Sequence, residues 1–273
     1  MWRFILTGLL WAGSISAQTS PAPPLTKDQS EAIKAENAAI VEINGLIAQT
    51  NAAAQAKDWP KAKDLAGKLI AASAKLGAAD PDNPNFHGSE PEYYKLLGDA
   101  HLNLGEYAEA VAAYEKCTGL IRVRAGDKVS TEHKKTMGVA LVSEGNAWLK
   151  SGDSKKAIAC YEQAAGYDPH PATAWFNICA TEYNAGNMDD AVVAAGKCIA
   201  LDPTKADAYF IKGSALFANG TLDASGKFVV PAEATAALQK YLELAPNGNH
   251  ANDAKQMLDY AVVVKPTDQP KTP

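Results

Sequence analysis

The sequence predicts an all-α solenoid, a stack of antiparallel helix pairs, and three spacings predict it. Gly152, Gly186 and Gly220 recur at intervals of 34 residues. Pro169 and Pro203 repeat the interval, each 17 residues beyond its glycine. Around these marks, small and large apolar residues return at the same offsets in successive units. A unit of that length cannot bury its apolar face alone, so copies stack and share one continuous core. Function then belongs on an extended surface, not in a catalytic cleft.

The chain opens with a segment of another kind. Residues 1–17 carry Arg3, an apolar run from Phe4 to Ala12, and small residues at Ser14, Ser16 and Ala17. A basic start, a short apolar core and a small-residue end make the pattern of a secretory signal peptide, cleaved here near Ala17. The run is too short for a permanent bilayer helix. An uncleaved N-terminal anchor is the alternative. After cleavage no integral membrane segment is expected, and the mature chain is periplasmic or secreted.

Residues 18–90 hold N-terminal helices. Thr26 and Gln29 are spaced as a capping box, and Ile33, Ile40, Ile43 and Ile47 continue a helical face. Asp58 caps the next helix, with Pro60 in its first turn. Ala62, Ala66 and Leu69 stand where a degenerate repeat places its second-helix anchors, so residues 43–78 read as a weak repeat. Asp80 to Ser89 is a loop, and Ser89 with Glu92 restarts the helical pattern.

The array covers residues 91–246 in four units. The first supplies Tyr94, Leu97, Gly98, His101, Gly105, Tyr107, Ala110, Tyr114 and Cys117; the second supplies Leu141, Gly145, Trp148, Gly152, Ala157, Tyr161, Ala164 and Pro169. The third gives Trp175, Ile178, Cys179, Gly186, Ala191, Ala195, Cys198 and Pro203; the fourth gives Tyr209, Gly213, Leu216 and Gly220, then Ala234, Leu238, Tyr241 and Pro246. Gly105 lies 47 residues before Gly152, so thirteen are inserted after the first unit, and nine are inserted within the fourth. Gly98 with Ala110, Gly145 with Ala157, and Cys179 with Ala191 mark the closest helix approach. The glycine between helices takes the left-handed conformation that a helix end favours. The later proline stops the second helix, although Arg122 stands in its place in the first unit. Inside the fourth unit, Thr221 to Pro231 reads as a short β-hairpin or extended excursion. Residues 247–264, with a helix from His250 to Val263, cap the exposed end. Residues 265–273 form a disordered tail.

The pattern W-x2-L-G-x2-Y, then Gly, Ala, Tyr, Ala and Pro, resembles tetratricopeptide repeats, and residues 172–205 are its cleanest copy. The resemblance implies a right-handed superhelical solenoid of antiparallel helix pairs, with a short β-hairpin-like insertion in the last repeat. It also implies that the first helix of each unit lines a concave groove. The groove positions are then Lys95, Leu102, Asn103, Val142, Asn146, Leu149, Phe176, Asn177, Tyr183, Asn184, Phe210, Ser214 and Phe217, with Asp99 and Lys150 beside them. The groove turns from mixed to aromatic toward its C-terminal half. Lys95 and Asn177 match part of the constellation by which some relatives clamp a C-terminal carboxylate. Asp99 departs from it, where an Asn is needed.

Chemistry of other kinds finds no support. The five histidines show no paired-ligand spacing, so neither metal nor cofactor is expected. No phosphate-cradling, dinucleotide or nucleophile-elbow glycine pattern occurs. Asp189 and Asp190 open a helix, where its dipole favours carboxylates. Formal charge is −5, and beyond Arg3 only Arg122 and Arg124 remain, which argues against nucleic acid. The four cysteines read as small buried hydrophobes, with a disulfide left open at Cys160 alone. The expected function is a non-enzymatic adaptor that binds a peptide or protein segment in the groove, in envelope assembly. The alternative is a carrier that encloses a small apolar ligand between Phe176, Tyr183, Phe210 and Phe217. The sequence leaves the oligomeric state open.

Overall fold

The computed structural model describes residues 26–80, 89–125, 130–168, 170–224 and 228–264. The leader at 1–17, most of the loop after Asp80, Pro169, Ser225-Gly226 and the tail at 265–273 lie outside them. The chain divides at Ile40 into two units. In the first, the described residues are opening turns of α1 (Lys27–Gln55). The second contains the rest: α2 (Trp59–Ala79), α3 (Glu90–Leu104), α4 (Tyr107–Ala125), α5 (Thr131–Lys150), α6 (Ser154–Tyr167), α7 (Ala172–Ala185), α8 (Met188–Leu201), α9 (Ala206–Ala218), α10 (Ala232–Leu244) and α11 (Ala251–Tyr260). Three short strands join them: β1 (Thr221–Leu222), β2 (Phe228–Pro231) and β3 (Val262–Val264).

Local signals account for several helix ends. Thr26 and Gln29 form the reciprocal box, with Thr26 N–H donating to Gln29 Oε1 at 2.9 Å and Gln29 N–H donating to Thr26 Oγ1 at 3.2 Å. Asp58 and Asp153 accept from the backbone of Lys61 and Lys156 at the starts of α2 and α6. Gly105, Gly152 and Gly186 have φ of 78°, 94° and 84°, the left-handed geometry that ends α3, α5 and α7. Gly220 departs from this series and lies outside the left-handed region. Its missing Cβ instead makes room for the Phe228 ring. Where Arg122 replaces proline, α4 runs on for 19 residues against 14 in α6 and α8, and Arg122 reaches Gln163 Oε1 at 3.0 Å.

Paired helices pack α3 on α4, α5 on α6, α7 on α8 and α9 on α10, and each second helix packs on the next first helix. This is the all-α solenoid of antiparallel pairs. The core runs along it, from Ala53, Ala62, Leu65 and Ala100 through Tyr114, Met137 and Leu141 to Ile178, Ala195 and Ile211. The expected close approach holds at Gly145, where an added Cβ would stand 3.0 Å from the Ala157 carbonyl oxygen, and a second contact accompanies it. The second-helix partner is a large side chain laid over glycine: a Cβ on Gly98 would stand 2.6 Å from the Tyr114 ring, and one on Gly213 would stand 2.7 Å from Leu238. Gly145 meets Tyr161 in the same way. The glycines thus admit whole side chains, which then bury completely.

Two expectations need correction at the C-terminal end. The last helix stops at Tyr260, because Val262–Val264 leave it to pair as β3 with β2, in parallel from Val229↔Val262 to Pro231↔Val264. The insertion contributes a β1–β2 antiparallel pair, so its hairpin grows into a three-stranded sheet. Three consecutive valines favour a pleated surface over helix once another strand is at hand.

Candidate functional site

First helices meet along one side of the stack: α3 touches α5, α7 touches α9, and α9 touches α11. At the α3 end, Lys95 Nζ donates to Asp99 Oδ2 at 2.7 Å, while Asp99 Oδ1 accepts from the Tyr114 hydroxyl at 2.8 Å. Asn103 is exposed and returns its amide to the Asp99 carbonyl. Leu102 is half-buried against the core below. Glu92, absent from the expected set, turns Oε1 to the Thr136 hydroxyl at 3.3 Å and buries Oε2 without a hydrogen-bond partner.

The middle is more open. Leu149 is 38 % exposed, Asn184 is exposed, and Tyr183 and Asn177 are half-buried. Val142 and Phe176 rise from the shared core. Asn146 Oδ1 is taken from within by the Tyr161 hydroxyl at 2.8 Å, so its amide nitrogen is what remains to offer. Over the Phe176 ring, 4.5 Å from its centroid, sits the ammonium of Lys205. Lys205 is the functional candidate that sequence reasoning passed over. Its signal was its place, one residue before the first helix of the fourth unit.

The C-terminal end is filled by the chain itself. Phe210 is only 6 % exposed; its ring stacks on His250 at 4.1 Å and 9°, with Tyr241 5.4 Å away. Ser214 is 2 % exposed and faces Met257 Sδ at 3.6 Å. Phe217 lies 5.1 Å from Phe228 of β2. Phe210 and Ser214 are therefore packing residues beneath α11, contrary to the expectation of an aromatic groove continuing to this end. An amphipathic cap needs an apolar seat, and these rings provide it.

Burial and pairing shift several titratable groups along the array. Burial pushes the Cys117, Cys160 and Cys179 thiols up to about 12 and Cys198 up to about 11. All four are free, Cys160 included; its thiol donates to the buried Glu144 carboxylate at 3.4 Å. Burial raises Glu144 above the usual carboxylate range. Between α2 and the α3–α4 turn, Lys63 Nζ meets both oxygens of Glu106, at 2.7 and 2.9 Å, and His101 adds a further contact. These bonds, from Lys63 first and then His101, hold the Glu106 carboxyl below its ordinary value. A polar depression of about 340 Å³, lined by Gly186 to Asp190 and Asn219, lies at the α7–α8 turn, away from these aromatic side chains. Among the described residues no cluster suited to a metal ion occurs, and no described helix is long and apolar enough to cross a membrane.

Comparison with known proteins bears on the repeats. Residues 142–203 match one model described as tetratricopeptide repeat, and residues 91–123 match a second. A protein STIP1 homolog of Dictyostelium discoideum is 27 % identical over 119 residues, 44 % of this chain and 20 % of that one. RNA polymerase II-associated protein 3 of Rattus norvegicus is 27 % identical over 145 residues, 53 % of this chain and 20 % of that one. The chain thus spans about a fifth of the length of these curated relatives. Among solved structures, YrrB superposes with a TM-score of 0.50 at 19 % identity, covering 76 % of this chain and 88 % of its own. MamA gives 0.51 at 20 %, with 82 % and 98 % covered, and BtubC from P. vanneervenii gives 0.53 at 13 %, with 89 % and 92 % covered. The chain carries tetratricopeptide repeats on an all-α solenoid of antiparallel helix pairs.

Proposed function

We propose that this chain is a non-enzymatic interaction scaffold that holds a peptide or protein segment against the inner helices of its middle repeats, in the cell envelope. The observation that carries the reading is the stretch from Val142 to Asn184. There Leu149 and Asn184 are exposed beside half-buried Phe176, Asn177 and Tyr183, while Phe210 is already covered. Aromatic and aliphatic side chains supply contact area, and amides bond an extended backbone. YrrB, a solved neighbour, is described as a tetratricopeptide protein with an unusual peptide-binding site, which is compatible with this use of the fold.

The test is recovery of partners from envelope extract by the intact protein and by Leu149→Glu combined with Tyr183→Ala. Leu149 is exposed and Tyr183 half-buried, so the double variant disturbs the fold less than a change at buried Phe210 would. Loss of specific partners is expected; identical recovery by both proteins overturns the groove. The envelope assignment rests on residues 1–17 and predicts a mature N-terminus near Gln18 in the exported fraction. Full-length chain found in the cytosol overturns it.

A further inference from the structure

Five lysines among the described residues are half-buried: Lys63, Lys95, Lys205, Lys212 and Lys240. Four have a carboxylate within ion-pair reach, namely Glu106 at 2.7 Å, Asp99 at 2.7 Å, Glu233 at 3.6 Å and Glu243 at 2.8 Å. Lys205 is the exception. No described carboxylate lies within ion-pair distance of its Nζ, in a chain with 31 acidic and 26 basic residues. Asp202, three positions back, accepts at Oδ1 from the Thr204 N–H at 3.0 Å and the Thr204 hydroxyl at 2.6 Å; these bonds first, and the Lys205 charge after them, hold its carboxyl below the ordinary value without forming an ion pair. The Lys205 ammonium instead lies over Phe176, and its charge reaches inward far enough to lower the Cys179 and Cys198 thiols against the burial that raises them.

A partly desolvated ammonium is stabilised by a ring face, but the ring satisfies none of its N–H donors. A carboxylate brought to the same place bonds those donors and neutralises the charge in one step. The apolar ring of Phe176 beneath the ammonium fixes what must flank that carboxylate. We infer that Lys205 is a charge-selecting subsite of the groove, specific for a peptide segment in which Glu or Asp alternates with apolar side chains. This rests on the groove reading and adds the chemistry of its ligand. The expected Lys95 and Asn177 positions do not provide such a subsite, since Lys95 is neutralised by Asp99 on its own helix.

The test uses the full chain and an end-capped octapeptide of four Glu-Leu units, compared by titration calorimetry with counterparts carrying Gln or Lys in place of Glu. The wild-type protein is expected to bind the Glu peptide about fivefold more tightly than the Gln peptide, a preference that shrinks with added salt. Lys205→Met should level the two, and Lys205→Glu should favour the Lys peptide. Equal affinity of the wild-type protein for the Glu and Gln peptides overturns the inference, as does a preference that survives Lys205→Met. So does absence of binding by all three peptides. The peptide comparison on unaltered protein needs no variant to fold. If Glu and Gln peptides bind equally but Leu149→Glu with Tyr183→Ala abolishes both, the groove stands and the charge selection falls.

Discussion

Gly145 and Gly67 are both helical glycines, yet their surroundings give opposite forecasts. A Cβ at Gly145 would overlap the Tyr161 ring and stand 3.0 Å from the Ala157 carbonyl, whereas nothing lies within 4 Å of one at Gly67. Gly145→Ala is expected to destabilise by about 2 kcal/mol through overpacking. Gly67→Ala should stabilise by about 0.5–1 kcal/mol, because the unfolded chain has less freedom to lose. Urea unfolding of the two variants checks the contrast, and changes of the same sign defeat it. Glu144 gives a pH-dependent case. Burial raises its folded-state pKa, so protonation favours the fold, and the carboxyl's relative contribution is fully present below the unfolded value and lost as pH rises through the folded one. Glu144→Gln should therefore raise the thermal midpoint at pH 7 and lose that advantage near pH ~4, below the ordinary carboxylate value of about 4.3. A gain that persists unchanged in acid would place its origin elsewhere.

At the scale of single elements, α11 rests on a cluster of Phe210, Leu238 and Tyr241. Phe210 lies under it, stacked on His250, while Tyr241 accepts the His250 backbone N–H at 2.9 Å. Phe210→Ala is expected to cost about 3 kcal/mol. Hydrogen exchange should accelerate in residues 251–260 and remain unchanged in α5; uniform acceleration would contradict a local role. The positions of elements show what the sequence made legible. The 34-residue interval marks α5 to α8 because each boundary there carries its own glycine, aspartate or proline. Ser89 precedes α3 without a side-chain cap, and its would-be partner Glu92 turns to Thr136 on α5, a choice settled by a neighbour 44 residues away. The β2–β3 pairing was hidden for the same reason, since Val229 and Val262 are far apart in the chain, with α10 and α11 between them.

Over the whole repeat array, each pair rests only on its neighbours, so stability follows position. Exchange protection should be greatest in α5 to α8, which have partners on both sides, and should fall toward α3 and α11. A flat profile would mean that the array melts as one block. The candidate site was legible in part for a related reason. Leu149 and Asn184 are exposed, as their offsets implied, and Tyr183 is half-buried, whereas Phe210 and Ser214 are buried by a helix lying beyond the repeat that contains them. Lys205 escaped notice because its importance lies in a missing partner, which composition does not display. The parallel seating of β3 on β2 also governs how the molecule bears load. Tension drawn between the chain past Val264 and the chain before Phe228 pulls on opposite ends of these two strands. That direction shears their bonds together instead of unzipping them singly, so a tethered cargo would strain this clasp before it peeled away α11.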